Sequence, residues 1–122
     1  MLIERTRGDS PAGRNQSSSY KDLTWVVATA RDESLDLTGQ TKQALESLEK
    51  NLAALGSDKT RIISAYVFIA DINQKPQMDK VWNEWIGANP EFWPQRACLG
   101  VDLGGHWLIE ITVTAVRDEK SI

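Results

Sequence analysis

Residues 61–71 constrain the fold of this chain more than any other stretch. Arg61 to Asp71 reads as a β-strand with apolar side chains on both faces: Ile63, Ala65, Val67 and Ile69 on one, Ile62, Tyr66 and Phe68 on the other. An antiparallel sheet with one face in water alternates apolar and polar residues. Here both faces need cover. Helices can supply one cover, and the other calls for a second sheet, which another subunit can provide. The strand therefore predicts a layered fold and an oligomer.

The helices are legible on either side of it. Leu45, Leu48, Leu52 and Leu55 recur at three- and four-residue steps, with Ala44 beside them, which predicts an amphipathic helix with one apolar stripe. Asp36 or Thr38 can cap its start, and Gly56 can close its end in the left-handed conformation. Pro76 suits the first turn of a second helix, in which Met78, Val81, Trp82, Trp85 and Ile86 share one face. That spacing makes the tryptophans core residues rather than a stacking platform. Ala88-Asn-Pro90 ends the helix, and residues 90–94 form a stiff loop carrying Phe92 and Trp93.

Further strands are expected at Trp25 to Ala30, Arg96 to Leu103 and Trp107 to Val116, the last two joined as a hairpin by Gly104-Gly105. In the final strand Glu110, Thr112 and Thr114 form a polar stripe bracketed by Leu108 and Val116, suggesting a partly buried wet site or cross-strand threonine pairing. Residues 1–20 are polar and read as irregular or edge structure. The order is strand, helix, strand, helix, strand, strand: an α+β layer with two helices on one sheet face. At 122 residues this is one domain, 1–122, large enough for its own core.

Charge and rare residues narrow the function. The net charge is −3 and no dense Lys/Arg run exists, which argues against nucleic acid as a partner. One cysteine, Cys98, permits no internal disulfide and suits a reducing cytosol. With His106 alone beside it, a metal site is not expected, and no cofactor is implied. The first residues lack an apolar leader and no run reaches membrane-spanning length, so a soluble, cytoplasmic protein is expected. Pro94-Gln95-Arg96-Ala97-Cys98 then stands out, because an arginine fixed by a proline turn at a strand start can clamp a carboxylate with its planar fork. A solvated strand-end charge is the plain alternative.

Several segments together resemble the YjgF/RidA family of reactive-intermediate (enamine/imine) deaminases. They are Gln40-Thr41…Ala44-Leu45, residues 55–59, residues 67–72, Met78…Trp82-Asn83-Glu84-Trp85, residues 93–98 and Ile109-Glu110-Ile111…Ala115. The likeness spans residues 24–117 and resembles a divergent bacterial branch. It implies a chorismate-mutase-like mixed sheet assembled as a homotrimer, with ligand clefts between subunits. It further implies hydrolysis of 2-enamine or 2-imine amino-acid intermediates to 2-ketoacids and ammonia.

By that resemblance Arg96 holds the substrate carboxylate, Cys98 lines the cleft, and Trp93 falls where the family places an aromatic residue. The family's Ser-Gly-Gln element falls at Ala28-Thr29-Ala30, its pocket tyrosine near Asn15-Gln16, and its water-orienting glutamate at Thr112. Thr29 and Ala30 are thus expected to contribute cleft backbone and Thr112 to hold a water, with Arg14 a second anion contact across the interface. Two readings stand: a deaminase, and a non-catalytic module binding a small carboxylate such as a 2-ketoacid. An RNA-cleaving activity, also attached to this family, is disfavoured by the charge.

Overall fold

In the computed structural model, residues 2–118 are described; residue 1 and residues 119–122, which the single-domain assignment also spans, lie outside the described residues. The elements in chain order are β1 (Glu4–Thr6), β2 (Ser17–Tyr20), β3 (Leu23–Thr29), α1 (Leu37–Ala54), β4 (Ile62–Ile69), α2 (Lys75–Ile86), β5 (Gln95–Gly100) and β6 (Ile109–Val116). One mixed sheet has the order β1-β2-β3-β6-β4-β5. The β4–β5 pair is parallel and the other pairs are antiparallel. The predicted α+β class with two helices on one face is the observed one.

Local chemistry sets the helix ends. The Asp36 carboxylate accepts from the Gly39 N–H at 2.8 Å, satisfying one of the orphan donors of the first turn of α1. At the other end Gly56 adopts φ +80°, which lets Ser57 N–H reach Leu52 C=O at 2.9 Å. The C-terminus of α2 is held by Lys59, whose Nζ donates to Trp85 C=O at 2.8 Å and lies 5.5 Å from the Trp85 ring centroid. A cation there also complements the helix dipole.

The two helices cover one face of the sheet. Leu45, Leu48 and Leu52 of α1, with Met78 and Trp82 of α2, are buried against Val26, Ala65, Val67, Ile109 and Ile111. The first twenty residues, expected as irregular or edge structure, supply the edge strands β1 and β2. Arg117, itself buried, ties this edge to the chain's end by donating to Glu4 and, at 2.8 Å, to Lys21 C=O.

Two expectations need correction. The faces of β4 are not those of strict alternation: Ile62 is buried and Ile63 is 48% exposed. The register slips between Ile62 and Ser64, which pair with the consecutive residues Ala115 and Thr114. This bulge inserts one extra residue and moves Ile62 to the helix side. The second correction concerns Gly104-Gly105. Both have positive φ (75° and 55°) and make a turn, but β5 and β6 are not a hairpin. β4 lies between them, so residues 101–108 must cross the end of β4, a span of about 10 Å at two strand spacings. The parallel β4–α2–β5 crossover forces this placement, since β5 adds to the free edge of β4.

The opposite face carries Trp25, Val27, Tyr66 and Leu99, each at least 40% exposed, around the half-buried Thr112 and Thr114. Tyr66 and Phe68 stack there with centroids 6.4 Å apart. The two-faced character read in β4 is real, and within one chain its second face is uncovered.

Candidate functional site

Arg96 is the second residue of β5 and pairs with Ala65 across the parallel ladder, so its side chain points to the helix side of the sheet. Because β5 is an edge strand, α2 covers it only in part, and Arg96 meets that helix along one face. Its Nη2 donates to Asp79 Oδ1 at 2.6 Å, its Nη1 lies 3.8 Å from Met78 Sδ, and its guanidinium carbon is 5.2 Å from the centroid of the Trp82 ring. Trp82 lies one helical turn beyond the adjacent Met78 and Asp79 (i+4 and i+3), which is why a single side chain reaches all three. Asp79 also accepts from Lys75 Nζ at 2.8 Å. One carboxylate between two cations leaves the cluster with net charge +1.

These contacts explain the behaviour of Asp79. Partial burial pushes its carboxyl up, but the hydrogen bonds and charges of Lys75 and Arg96 together prevail and hold it below the ordinary aspartate value. Cys98, two residues along on the same face, packs against the core. Desolvation raises its thiol pKa, with the Arg96 charge pulling the other way. Its contacts are those of a small packing residue.

Arg96 opens into a cleft of about 750 Å³ formed by the end of α2 and the loop that follows. Trp82, Ile86, Trp93 and Pro94 give it apolar walls, and Asn83 and Glu84 add polar groups to the lining. The Trp93 indole is pinned by a 2.8 Å hydrogen bond from its Nε1 to Gly87 C=O, so its ring is a fixed wall although exposed. Gly87 itself has φ +87°, a conformation that lets the chain leave α2 sharply.

The structure thus gathers Arg96 and Trp93 at one cleft, with Cys98 beside them under α2. The other residues singled out from the sequence lie elsewhere in the single chain. Thr112 pairs with Val27 and Tyr66 on the open face, opposite Arg96, and Thr29 pairs with Glu110 on that face. Ala30 is buried just beyond β3. Arg14 is exposed in the β1–β2 connection, at the sheet edge opposite β5. Sequence reasoning missed Asp79 and Glu84. The i, i+4 spacing of Lys75 and Asp79 was visible, but which strand residue would fall beside Asp79 was not. Among the described residues no group of three or more His, Cys, Asp or Glu is placed to hold a metal. No helix there is long and apolar enough to cross a membrane.

Fold and site together define a small α+β domain with an arginine-floored cleft on an edge strand. The family model described as Endoribonuclease L-PSP matches residues 27–117, and the chain belongs to this family, the YjgF/RutC group. It is 38% identical over 117 residues to a RutC family protein of Haemophilus ducreyi, covering 94% of this chain and 98% of that one. It is 36% identical to the RutC family protein YoaB of Escherichia coli, covering 89% and 95%. Among solved structures, one from Pseudomonas aeruginosa matches at TM-score 0.84 and 27% identity, covering 96% of this chain and all of that one. The fold also matches NMB1025, a YjgF family member of Neisseria meningitidis, at TM-score 0.85 and 24% identity, covering 98% of each chain.

Proposed function

We propose that the protein hydrolyses reactive 2-enamine or 2-imine intermediates of amino acids to 2-ketoacids and ammonia, in clefts between the subunits of a cytoplasmic homotrimer. The observation that carries this reading is Arg96: it opens into the cleft, held in place by Asp79 and the Trp82 ring, with a net positive charge around it. A guanidinium already fixed in orientation loses little freedom on taking a second carboxylate. With the substrate carboxylate on Arg96, the imine carbon stands over the cleft. Water adds across the C=N bond, its oxygen to carbon and one proton to nitrogen. The proton of the new hydroxyl then passes to nitrogen, the C–N bond breaks as the ketone C=O forms, and ammonia leaves. Catalysis here is mainly positioning with proton transfer.

Thr112 as the water-holding residue, with Thr29 and Ala30 as neighbouring cleft backbone, requires assembly. Arg96 and Thr112 lie on opposite sheet faces of one chain, so a second copy must bring its open face toward the first copy's cleft. The exposed Trp25, Val27 and Tyr66 support such a contact. The test generates an imine in place with an amino-acid oxidase and follows its loss. Wild type accelerates hydrolysis and Arg96→Ala does not; equal rates with and without wild type end the reading.

The absence of a carboxylate at Thr112 favours a second reading, a non-catalytic module that binds a 2-ketoacid. It gives calorimetric binding of 2-ketobutyrate, lost in Arg96→Ala, without turnover. Cleavage of an RNA oligomer at a rate dependent on Arg96 would overturn both.

A further inference from the structure

The lining of the cleft states what the rest of the ligand looks like. Arg96 supplies positive charge. The apolar lining includes the fixed indole of Trp93, the ring of Pro94 and the side chain of Ile86. Glu84 also lines the cleft and disfavours a second negative charge. A cleft of about 750 Å³ is far more room than a two-carbon tail fills. An indole already fixed by its own hydrogen bond meets a ligand with little ordering cost.

We propose that this cleft selects monocarboxylates with a flat aromatic or branched apolar tail, with Trp93 as the specificity-determining residue. The inference rests on the reading of Arg96 as a carboxylate clamp and adds the chemical class of the tail. It places the substrate among the imines of aromatic and bulky apolar amino acids rather than those of short or acidic ones. An acidic tail would meet Glu84, and a short one would leave the Trp93 wall wet.

The experiment compares phenylpyruvate, 2-ketobutyrate and 2-ketoglutarate by calorimetry on wild type, Trp93→Ala, Trp93→Phe and Arg96→Gln. Wild type is expected to bind phenylpyruvate about tenfold more tightly than 2-ketobutyrate, the gain of burying a ring against the indole. The 2-ketoglutarate dianion should bind weakest. Trp93→Ala should bring the phenylpyruvate to 2-ketobutyrate ratio close to one, and Trp93→Phe should restore most of it. Equal binding of the two monocarboxylates by wild type, with both lost in Arg96→Gln, would overturn the tail selection and leave the clamp standing. A ratio unmoved by Trp93→Ala would also overturn it. Binding of no carboxylate, or binding indifferent to Arg96→Gln, would overturn the clamp and this proposal with it.

Discussion

Gln40→Met removes the polar hub of the fold while keeping its volume. Gln40 is fully buried in α1, and its amide joins two loops that are far apart in sequence. Nε2 donates to the carbonyls of Glu33 (3.2 Å), Leu35 (3.0 Å) and His106 (3.0 Å), and Oε1 accepts from Leu108 N–H at 2.9 Å. Those contacts fix the start of β6 and the segment entering α1. The amide's two N–H groups are shared among three carbonyls, so with the Oε1 contact there are three full hydrogen bonds, which at about 1 kcal/mol net each set an upper figure near ~3 kcal/mol. Glu33 and His106 are exposed residues whose carbonyls can turn to water, so the loss falls chiefly on Leu35 and Leu108.

The expected destabilisation is therefore about 2 kcal/mol, with nothing added for a cavity because methionine fills the same space. For a chain of this size that lowers Tm by roughly 8 °C. Urea unfolding followed by circular dichroism reads the change directly, with an unchanged m-value. Gln40→Glu supplies the internal check. At neutral pH it presents a buried carboxylate to three carbonyl oxygens and must be worse than the methionine variant. A methionine variant within 1 kcal/mol of wild type, or a milder glutamate variant, would refute the hub.

Asp79→Asn tests the cluster under Arg96 through pH. A carboxyl whose folded pKa is lowered contributes stability above its unfolded value, and that stability disappears as pH falls through the folded value. Wild type should exceed Asp79→Asn by a constant margin from pH 6 to 8, and the margin should shrink below about pH 4 in denaturant titrations. A margin unchanged at low pH would detach Asp79 from its cations. Cys98 should alkylate with iodoacetamide more slowly in the native protein than in the unfolded chain at pH 8, because desolvation keeps its thiol protonated. Native reactivity at the unfolded rate would contradict its packing. Tyr66→Asp places a charge among Trp25, Val27 and Phe68 on the open face, and sedimentation should then report a smaller species than wild type. An unchanged mass would mean that assembly uses another surface.

Much of the architecture followed from local pattern. The leucine spacing of α1 and the Met78–Ile86 spacing of α2 placed both helices, and their apolar stripes face the core as the 3.6-residue period requires. Asp36, one of the two caps open to the sequence, and Gly56 marked the ends of α1, the first by accepting from a terminal N–H and the second by taking the left-handed turn. Apolar residues on both faces of β4 foretold a second apolar sheet face needing cover from outside the helix layer, and the Pro94–Cys98 motif pointed to Arg96.

Other features depended on which strand lies next to which. Gly104-Gly105 carries the local signature of a tight turn in either a hairpin or a crossover, and only the insertion of β4 between β5 and β6 decides the matter. The bulge at Ile63 is likewise silent locally, since isoleucine suits either face and the slip is set by pairing with Ala115 and Thr114. The surroundings of Arg96 are a tertiary outcome as well. Lys75, Asp79 and Trp82 lie more than ten residues before it, and the crossover from β4 through α2 brings their helix over β5. Sequence by itself therefore determined the two helices, the four strands β3 to β6, the buried stripes and the arginine, because those follow from side-chain period and backbone chemistry. The tertiary structure decided the strand order, the charge cluster that orients the arginine and the aromatic wall beside it, because these arise only where distant segments meet.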